Sequence, residues 1–453
     1  MDISGEPTIG VGLISGALSA KVTLSGSFSY GEGGKVSSGD LTIFPSEGGG
    51  VSVRGAIELD ARQVVVKPEN FQECRFTLHD VTIGIGFHWE RKEAQVFQGS
   101  LLITSGERGL NIINEVPLES YLVSVISSEM SAANHAELLK AHAIVARSWL
   151  LAQLLGSDPA KLDRMEQPTR IKQGSTIEIV RWYDRESHSE FDVCADDHCQ
   201  RYQGISKAFS ASASEAVEAT RGAVLGFAGE ICDARYSKCC GGLTEVYSSA
   251  WAAKDLPYLA SVYDGPGELT GYDLPLAKEK EAARWITSLP RAYCCGPSPE
   301  LLERILPDFD LETRDYYRWV VSYQADELRE IVRSRLGEDP GSILALEPMA
   351  RGPSGRLIRL RIAGQKCTLI IGKELEIRKV LSRSHLYSSA FVVRHEENPH
   401  TGYPERFILK GAGWGHGVGL CQIGAAVMAE LGHASDEILA HYFRGATVRK
   451  VYG

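Results

Sequence analysis

Short strand-like runs separated by turn residues make up the first 112 residues. Runs such as Lys21–Leu24 and Val64–Val66 are divided by glycine and serine clusters like Gly48–Gly50, and no helical periodicity interrupts them. Short apolar or alternating segments bounded by such clusters are typical of β-strands. The pattern therefore predicts an all-β segment over residues 1–112.

Helical spacing of apolar residues begins next and predicts a helical hairpin over residues 117–155. Pro117 suits a helix start, where its missing N–H would have had no partner. Asn134 followed by Glu137 resembles a capping box for the second helix. The apolar positions of the two helices are Leu118, Leu122 and Val125, then Leu138, Ala141, Val145, Trp149 and Ala152.

The rest of the chain mixes both patterns. Residues 170–260 return to short strands and turns, and the C-terminal part is expected to hold helices from about Gln422 and from near Ser435. We therefore expect an α+β fold in three parts. These parts are a β-rich N-terminal segment (1–112), a mixed catalytic domain that contains the hairpin (113–262 and 385–453), and an inserted α+β unit (263–384).

Composition excludes some classes of protein. The 453 residues carry a formal net charge of −10 and no basic run, so a nucleic-acid-binding protein is disfavoured. No stretch approaches 18 consecutive apolar residues, so no membrane-spanning segment is expected. Residues 1–10 lack the charged and apolar regions of a signal peptide, which leaves either a cytoplasmic protein or one whose export signal has been removed.

Glu129 is the candidate acid/base residue. It follows Val125 by four residues and Leu122 by seven, so all three lie on one helical face. A carboxylate on an apolar face is expected to be partly desolvated, and desolvation favours the protonated form that a general acid needs. The alternative is a frayed helix end whose carboxylate reaches water.

The segment Gly411–Gly419 has glycine at every second position and frames Trp414 and His416. Glycine lets a ligand or another chain segment approach the backbone closely. The spacing matches neither a dinucleotide-binding fingerprint nor a P-loop, so a nucleotide site is disfavoured. A ligand site and a tight structural loop remain the two interpretations. No GxSxG motif stands on a strand-to-helix turn, although a Ser/His/Asp or Cys/His nucleophile stays open, and no HExxH motif lies on a predicted helix, which argues against a zincin-type protease.

A histidine and two cysteines lie close together in the sequence: His188, Cys194 and Cys199. Imidazole and thiolate ligands at such spacing suit a tetrahedral zinc ion. His198 adjoins the second cysteine, and Cys239 or Cys240 offers a fourth ligand from a distance. The alternatives are a chance pair of buried cysteines or a disulfide in an oxidising compartment.

Two long motifs stand out in the hairpin and in the glycine-rich region. They are Val116–Leu122 with Ser128–Met130 and Leu139–Ser148, and Gly411–Ala425 with Ile438–Gly445. In this order the motifs resemble the stage II sporulation protein D and amidase-enhancer family (SpoIID). Two further segments are similar to family segments, Cys194–Tyr202 and Tyr236–Glu245, so the resemblance spans most of the chain.

The resemblance implies a lytic transglycosylase that cuts peptidoglycan between N-acetylmuramic acid and N-acetylglucosamine and leaves a 1,6-anhydro product. It assigns the acid/base role to Glu129 and implies a groove that brings Glu129 and His416 together. It also implies a structural zinc ion, in agreement with His188, Cys194 and Cys199. The expected substrate-binding residues, with the tryptophan stacking on a sugar face, are Arg147, Trp414, His416 and Gln422.

The chain departs from the family pattern at three positions. The usual Ser-Gln-Tyr-Gly-Ala is Cys421–Ala425 here, so Ile423 replaces a tyrosine and Cys421 a serine, and His142 replaces a glutamine in the second helix. These changes bear on substrate detail and on activity. The expected partners are peptidoglycan glycan strands in the cell envelope and a cell-wall amidase.

Three other functions stay open at this point. The chain could be a non-catalytic peptidoglycan-binding module that activates an amidase. Hydrolysis to a reducing end would instead make it a muramidase. A zinc-dependent hydrolase built on His188, Cys194 and Cys199 would need an open coordination position, and metal removal would then abolish its activity.

Overall fold

The computed structural model describes residues 3–84, 90–131, 133–156, 169–182, 188–196, 198–206, 211–254, 256–307, 310–311 and 315–453. Within these residues, the chain forms both strands and helices, and the strands belong to several separate sheets. The predicted α+β class is confirmed.

The N-terminal segment is β-sheet, as its alternating pattern predicts. Along one strand, Ala20, Val22 and Leu24 are buried, whereas Lys21 is exposed. This period of two is expected when one face of a sheet covers a core. The strands are β1 (Thr8–Ala17), β2 (Ala20–Tyr30), β3 (Gly34–Ser46), β4 (Gly50–Gly55), β5 (Leu59–Ala61), β6 (Val64–Pro68), β7 (Arg75–Ile83), β8 (Arg91–Phe97), β9 (Ser100–Gly106) and β10 (Gly109–Pro117).

These strands share an 11-stranded sheet with a short strand from later in the chain, β13 (Val193–Cys194). The order is β13-β1-β10-β9-β6-β2-β3-β4-β5, and β7 branches from β2 to pair with β8. The β13 strand lies parallel to β1, with Cys194 opposite Gly12. This pairing brings the predicted metal-binding segment onto the N-terminal sheet.

The predicted hairpin is confirmed as α1 (Leu118–Glu129) and α2 (Ala136–Leu155), which pack on each other and on the core of the large sheet. The predicted capping box is wrong. His135 occupies the N-cap and accepts from the Glu137 N–H at 3.3 Å, whereas the Asn134 side chain donates to the backbone of Ser131 and Ile305. Nearly every α2 residue from 138 to 151 is buried, so α2 is a core helix.

Length and composition would allow α2 to cross a membrane, although 72% of its apolar window is buried inside the fold. Packing against α1, and against helix α3 (Ala211–Ala219) and strand β14 (Ala223–Phe227), covers this helix. A core helix passes the same test of length and apolar composition as a spanning one.

The middle of the chain contributes short elements. They are β11 (Thr169–Gln173), β12 (Thr176–Val180), β15 (Glu230–Ile231), β16 (Tyr236–Ser237), α4 (Tyr247–Ala250), a 3₁₀ turn (Pro257–Leu259), α5 (Glu279–Ile286), α6 (Pro299–Ile305), β17 (Arg318–Gln324), α7 (Ala325–Leu336), β18 (Ile343–Arg351), β19 (Leu357–Gly364), β20 (Thr368–Gly372) and α8 (Glu374–Val380).

The C-terminal part holds β21 (Phe391–Glu397), β22 (Pro404–Ala412), β23 (Leu420–Cys421), α9 (Gln422–Glu430), α10 (Ser435–Tyr442) and β24 (Thr447–Lys450). Both helices begin where the sequence predicted. Gly432, with a φ of 91°, follows the end of α9 in the left-handed conformation that glycine adopts readily.

Two sheets contain strands from both inside and outside the expected inserted unit, residues 263–384. One sheet has the order β11-β12-β20-β19-β18, and the other has the order β17-β22-β21. Both therefore pair strands inside residues 263–384 with strands outside them. The division of the chain into three parts stays a prediction.

Candidate active site and metal centre

Glu129 is the last residue of α1 and is only 8% exposed. Its Oε1 atom accepts from the Arg201 backbone N–H at 3.1 Å and lies 3.3 Å from the Tyr236 hydroxyl, which donates to it. Within the described part of the chain, both hydrogen bonds go to Oε1 and none to Oε2. One carboxylate oxygen is thus held in place, while the other has no partner among the described residues.

Tyr236 supplies a side-chain hydrogen bond to this carboxylate. Burial and the nearby Glu129 carboxylate raise the pKa of Tyr236 well above its usual value. The phenol therefore keeps its proton at neutral pH and donates to Glu129.

Charged side chains surround the end of α1. The Lys238 ammonium donates to the Glu129 backbone carbonyl at 2.8 Å and pairs with Asp310 at 2.7 Å, and the Arg201 guanidinium lies 3.8 Å from the same aspartate. Sequence reasoning assigned no role to these residues. The likeness of Cys194–Tyr202 and Tyr236–Glu245 to family segments pointed at Arg201 and Lys238, and no sequence signal pointed at Asp310.

His142 and Gln422 lie behind Tyr236. The His142 ring meets the Tyr236 ring edge-on at 4.9 Å, and its Nε2 atom lies 3.5 Å from the Gln422 amide nitrogen. Burial lowers the pKa of His142 to about 4, so the ring is neutral at pH 7 and can accept from that amide. Gln422 is only 2% exposed, so it contacts this histidine instead of solvent, which corrects its expected place on the groove surface.

The glycine-rich segment follows a path that few other residues could take. Glycines 413, 415, 417 and 419 have φ values between 73° and 90°, which L-residues with a Cβ rarely adopt. A Cβ on Gly417 would also lie 2.4 Å from the buried guanidinium of Arg356. The glycines therefore have a structural role, and the loop presents two half-buried side chains, Trp414 and His416.

The Trp414 ring packs against Tyr316 at 4.7 Å and Tyr387 at 4.6 Å between ring centroids. Part of the indole is thereby covered by protein. Stacking of Trp414 on a sugar face stays a prediction that concerns only its exposed part.

His416 is held on several sides. Its Nδ1 atom accepts from the Val418 N–H at 3.0 Å, and its ring meets Trp251 edge-on at 4.9 Å. Burial, with additional effects of nearby arginines, lowers the pKa of His416 well below its usual value, so the ring is neutral. The Tyr236 backbone partly offsets this lowering of the pKa, and the hydroxyl of the same tyrosine donates to Glu129, so both predicted site residues lie near Tyr236.

Arg147 does not line a groove, which corrects the role expected for it. Its side chain has no exposed surface and forms a bidentate ion pair with Glu119, from Nη2 to Oε2 at 2.6 Å and from Nε to Oε1 at 3.1 Å. The guanidinium also donates to the Ala223 carbonyl at 2.9 Å. A charge this deep in the fold needs such partners, so Arg147 joins α1, α2 and the start of β14.

The predicted metal ligands lie together. Cys199 Sγ is 3.4 Å from His188 Nε2 and 3.5 Å from His198 Nδ1, and Cys194 Sγ is 3.8 Å from the same His198 atom. All four ligand atoms lie within 4.8 Å of one another. The fourth member is thus His198, and Cys240 lies in a different cluster. Two thiols and two imidazoles at these separations fit a closed tetrahedral site.

The metal-binding segment also supports Glu129. Arg201, whose backbone N–H bonds the carboxylate, follows Cys199 by two residues. Further along, the Gln203 N–H donates to Ser124 on α1 at 3.1 Å. Hydrogen bonds from Cys199 and from the two imidazoles lower the pKa of the Cys194 thiol, which favours the thiolate that a metal ligand requires.

A cavity of about 520 Å³ lies next to this segment, lined by β1, β7 and residues near Cys194 and Arg201. Glu129, Trp414 and His416 are not among its lining residues. The cavity therefore does not contain the expected site residues, and it is not the catalytic groove expected from the sequence.

Comparison with known proteins identifies two regions. A family model described as "Stage II sporulation protein" matches residues 106–227, and one described as a "domain of unknown function" matches residues 245–419. The first match includes Glu129 and the four clustered metal-ligand candidates, and the second includes the whole glycine-rich segment Gly411–Gly419.

Three of the similar proteins come from Bacillus. The chain is 22% identical over 339 residues to the "Amidase enhancer" of Bacillus subtilis (strain 168), which covers 72% of this chain and 40% of that protein. It is 23% identical over 341 residues to the "Stage II sporulation protein D" of Bacillus amyloliquefaciens. It is also 23% identical over 339 residues to the "Stage II sporulation protein D" of Bacillus subtilis (strain 168). Each of these two matches covers 74% of this chain and 75% of the relative. The match thus spans less than half of the amidase enhancer.

Proposed function

The chain belongs to the stage II sporulation protein D and amidase-enhancer family, and from this premise we propose that it is a lytic transglycosylase acting on peptidoglycan glycan strands. The relatives are named for sporulation and for enhancing an amidase, which supports a role related to the cell wall. A place in the cell envelope is part of the proposal, because the glycan substrate lies there.

The observation that carries the proposal is the setting of Glu129. A buried carboxylate whose Oε1 receives two hydrogen bonds, from Arg201 and Tyr236, is fixed in orientation. Its Oε2 has no partner in the described chain and is free to exchange a proton with a bound sugar. Proton transfer by a positioned carboxyl group is how glycosidic bonds are cleaved.

In the proposed reaction, protonated Glu129 donates its proton to the glycosidic oxygen as the bond to C1 of N-acetylmuramic acid breaks. The resulting carboxylate then takes the proton from the C6 hydroxyl while that oxygen attacks C1. The products are a free N-acetylglucosamine hydroxyl and a 1,6-anhydro end. One carboxylate suffices because the substrate supplies its own nucleophile, so the pair used by ordinary glycosidases is not required.

The four clustered ligands near Glu129 would hold a structural zinc ion, with two thiolates and two imidazoles completing its coordination. A closed site leaves no position for an activated water. Its contribution would be to fix the segment whose Arg201 N–H orients Glu129, and the chemistry would not depend on the metal directly.

The test compares the parent protein with Glu129→Gln on intact and on peptide-stripped peptidoglycan, and reads the products by mass spectrometry. Glutamine keeps an oxygen that accepts from Arg201 and Tyr236 but cannot supply the proton. We expect anhydromuramic ends from the parent and a loss of roughly 100-fold or more in the variant, the usual contribution of a general acid. Glu137→Gln, a change at another half-buried carboxylate, which pairs with Lys140 and accepts from the Ser435 N–H, is the matched control and should retain activity.

A second candidate function is supported by the relative named "Amidase enhancer". As a non-catalytic activator, the chain would release no sugar from either substrate, and it would raise the rate of a cell-wall amidase equally with or without Glu129. Reducing ends instead of anhydro ends would indicate a muramidase. Either result would refute the transglycosylase.

A further inference from the structure

A second cluster of metal-ligating groups lies in the interior, away from the one near Glu129. It contains three thiols and one carboxylate whose ligand atoms lie within 4.8 Å of one another: Cys240, Asp264, Cys294 and Cys421. The side chains are 0–3% exposed. Sequence spacing gave no sign of this cluster, because its members come from four separate segments.

The distances suit a shared ion. Cys240 Sγ is 3.6 Å from Cys294 Sγ and 3.2 Å from Asp264 Oδ2. Zinc–sulfur bonds of about 2.3 Å at tetrahedral angles put two sulfur ligands roughly 3.8 Å apart. The separation of the two sulfurs is therefore close to that of thiolates on one metal ion, and far from the roughly 2 Å of a disulfide bond.

Backbone N–H groups point at the sulfurs, as they do around thiolate ligands. Cys421 Sγ accepts from the Cys240 N–H at 3.2 Å and the Gly424 N–H at 3.4 Å, and Cys240 Sγ accepts from the Gly242 N–H at 3.3 Å. Cys421 is the N-cap of α9, where the helix dipole favours a negative charge. It is also one of the departures from the family pattern, in which a serine stands there.

A hydrogen bond to one oxygen of Asp264 orients its other oxygen toward the thiols. Its Oδ1 accepts from the Tyr442 hydroxyl at 2.7 Å, which leaves Oδ2 directed at Cys240. Among the described residues, its only ion-pair partner is His441, at 3.6 Å, and that imidazole is charged only if protonated. A fully buried carboxylate beside three thiols lacks a compensating positive charge in the described structure, and a divalent cation would supply it.

We propose that Cys240, Asp264, Cys294 and Cys421 bind a second structural zinc ion. Thiolate-rich sets with one hard ligand select a borderline-soft divalent ion, and four protein ligands leave no open position. The ion would tie the start of α9 to the segments that carry the other three ligands. This inference is independent of the proposed transglycosylase activity.

The test is the metal content of the full chain, purified under reducing conditions without chelator and measured by inductively coupled plasma mass spectrometry. The two clusters predict two zinc ions per chain. Cys421→Ser, the residue of the family pattern, should lose one ion, and Cys199→Ser should lose the other. Cys295→Ser is the matched control, because this half-buried thiol adjoins Cys294 but lies outside the cluster.

Asp264→Asn provides a second variant if Cys421→Ser does not fold. Loading Cys199→Ser with cobalt in place of zinc provides a readout in which the ligands of the new cluster are unchanged. Thiolate-to-cobalt charge-transfer absorbance in that variant would support the site, and its disappearance in Asp264→Asn/Cys199→Ser would assign it. Parent zinc that is lost entirely in Cys199→Ser, no cobalt signal in Cys199→Ser, or a disulfide between Cys240 and Cys294 in the native protein would each overturn the proposal.

Discussion

Replacing Arg147 by methionine distinguishes a structural ion pair from a glycan-binding arginine. The sequence placed Arg147 on the groove, whereas the structure buries its guanidinium against Glu119 with no exposed surface. Methionine keeps much of the aliphatic volume and removes the charge. A structural role predicts a loss of stability with intact activity in the folded fraction, and a binding role predicts the reverse.

The size of the effect follows from what remains around Glu119. Removing one partner of a buried ion pair costs about 3–5 kcal/mol because the other charge is left uncompensated. Glu119 keeps two donors, the Gly222 N–H at 3.1 Å and the Tyr452 hydroxyl at 2.6 Å. We therefore expect the lower end of that range, about 3 kcal/mol. Adding Glu119→Met should recover a large part of the loss, since the double variant leaves no unpaired charge.

Urea unfolding followed by tryptophan fluorescence measures the free energy of unfolding of the two variants. Arg221→Met is the matched control, because Arg221 pairs with Glu6 near the surface and such pairs contribute about 0–1 kcal/mol. Sacculus binding and product release are measured on the same preparations well below the unfolding midpoint. An Arg147→Met protein as stable as the parent but deficient in binding would refute the structural assignment.

Three further predictions follow from the site and its loop. Burial lowers the pKa of His142 to about 4, below the roughly 6.5 of an unfolded histidine. Its contribution to the free energy of unfolding is therefore complete above pH 6.5 and is lost as the pH falls toward 4. The urea midpoints at pH 7 and at pH 5 should lie closer together in His142→Gln than in the parent, and an unchanged difference would contradict this. Zinc removal by a chelator should lower the thermal midpoint, while the folded protein keeps a reduced Glu129-dependent activity, because the metal only positions the segment of Arg201; complete inactivation of folded protein would favour the zinc-dependent hydrolase. Gly402→Ala should lower the free energy of unfolding by roughly 1–2 kcal/mol, because its backbone is left-handed but nothing lies within 4 Å of the new Cβ. Gly417→Ala should lower it clearly more, because its Cβ would also lie 2.4 Å from Arg356. Equal free energies of unfolding in the two variants would contradict the close approach.

Local features of this protein were predictable from its sequence. Helix α1, helix α2 and the C-terminal helices depend on apolar spacing and end signals within one segment, and such signals act over a few residues. The position of Glu129 on the buried face of α1 follows from the same spacing. The ligands His188, Cys194 and Cys199 lie within 12 residues, so their proximity was also a local property.

Contacts between distant segments were decided only by the tertiary structure. Tyr236 and Asp310, which build the surroundings of Glu129, lie 107 and 181 residues beyond it, and no spacing rule connects such positions. The same holds for the cluster around Cys240. Arg147 shows the limit most clearly, because an arginine in an apolar helix pattern is compatible with a ligand contact or a buried ion pair. Only the placement of Glu119 beside it, which packing of α1 on α2 determines, decides between them.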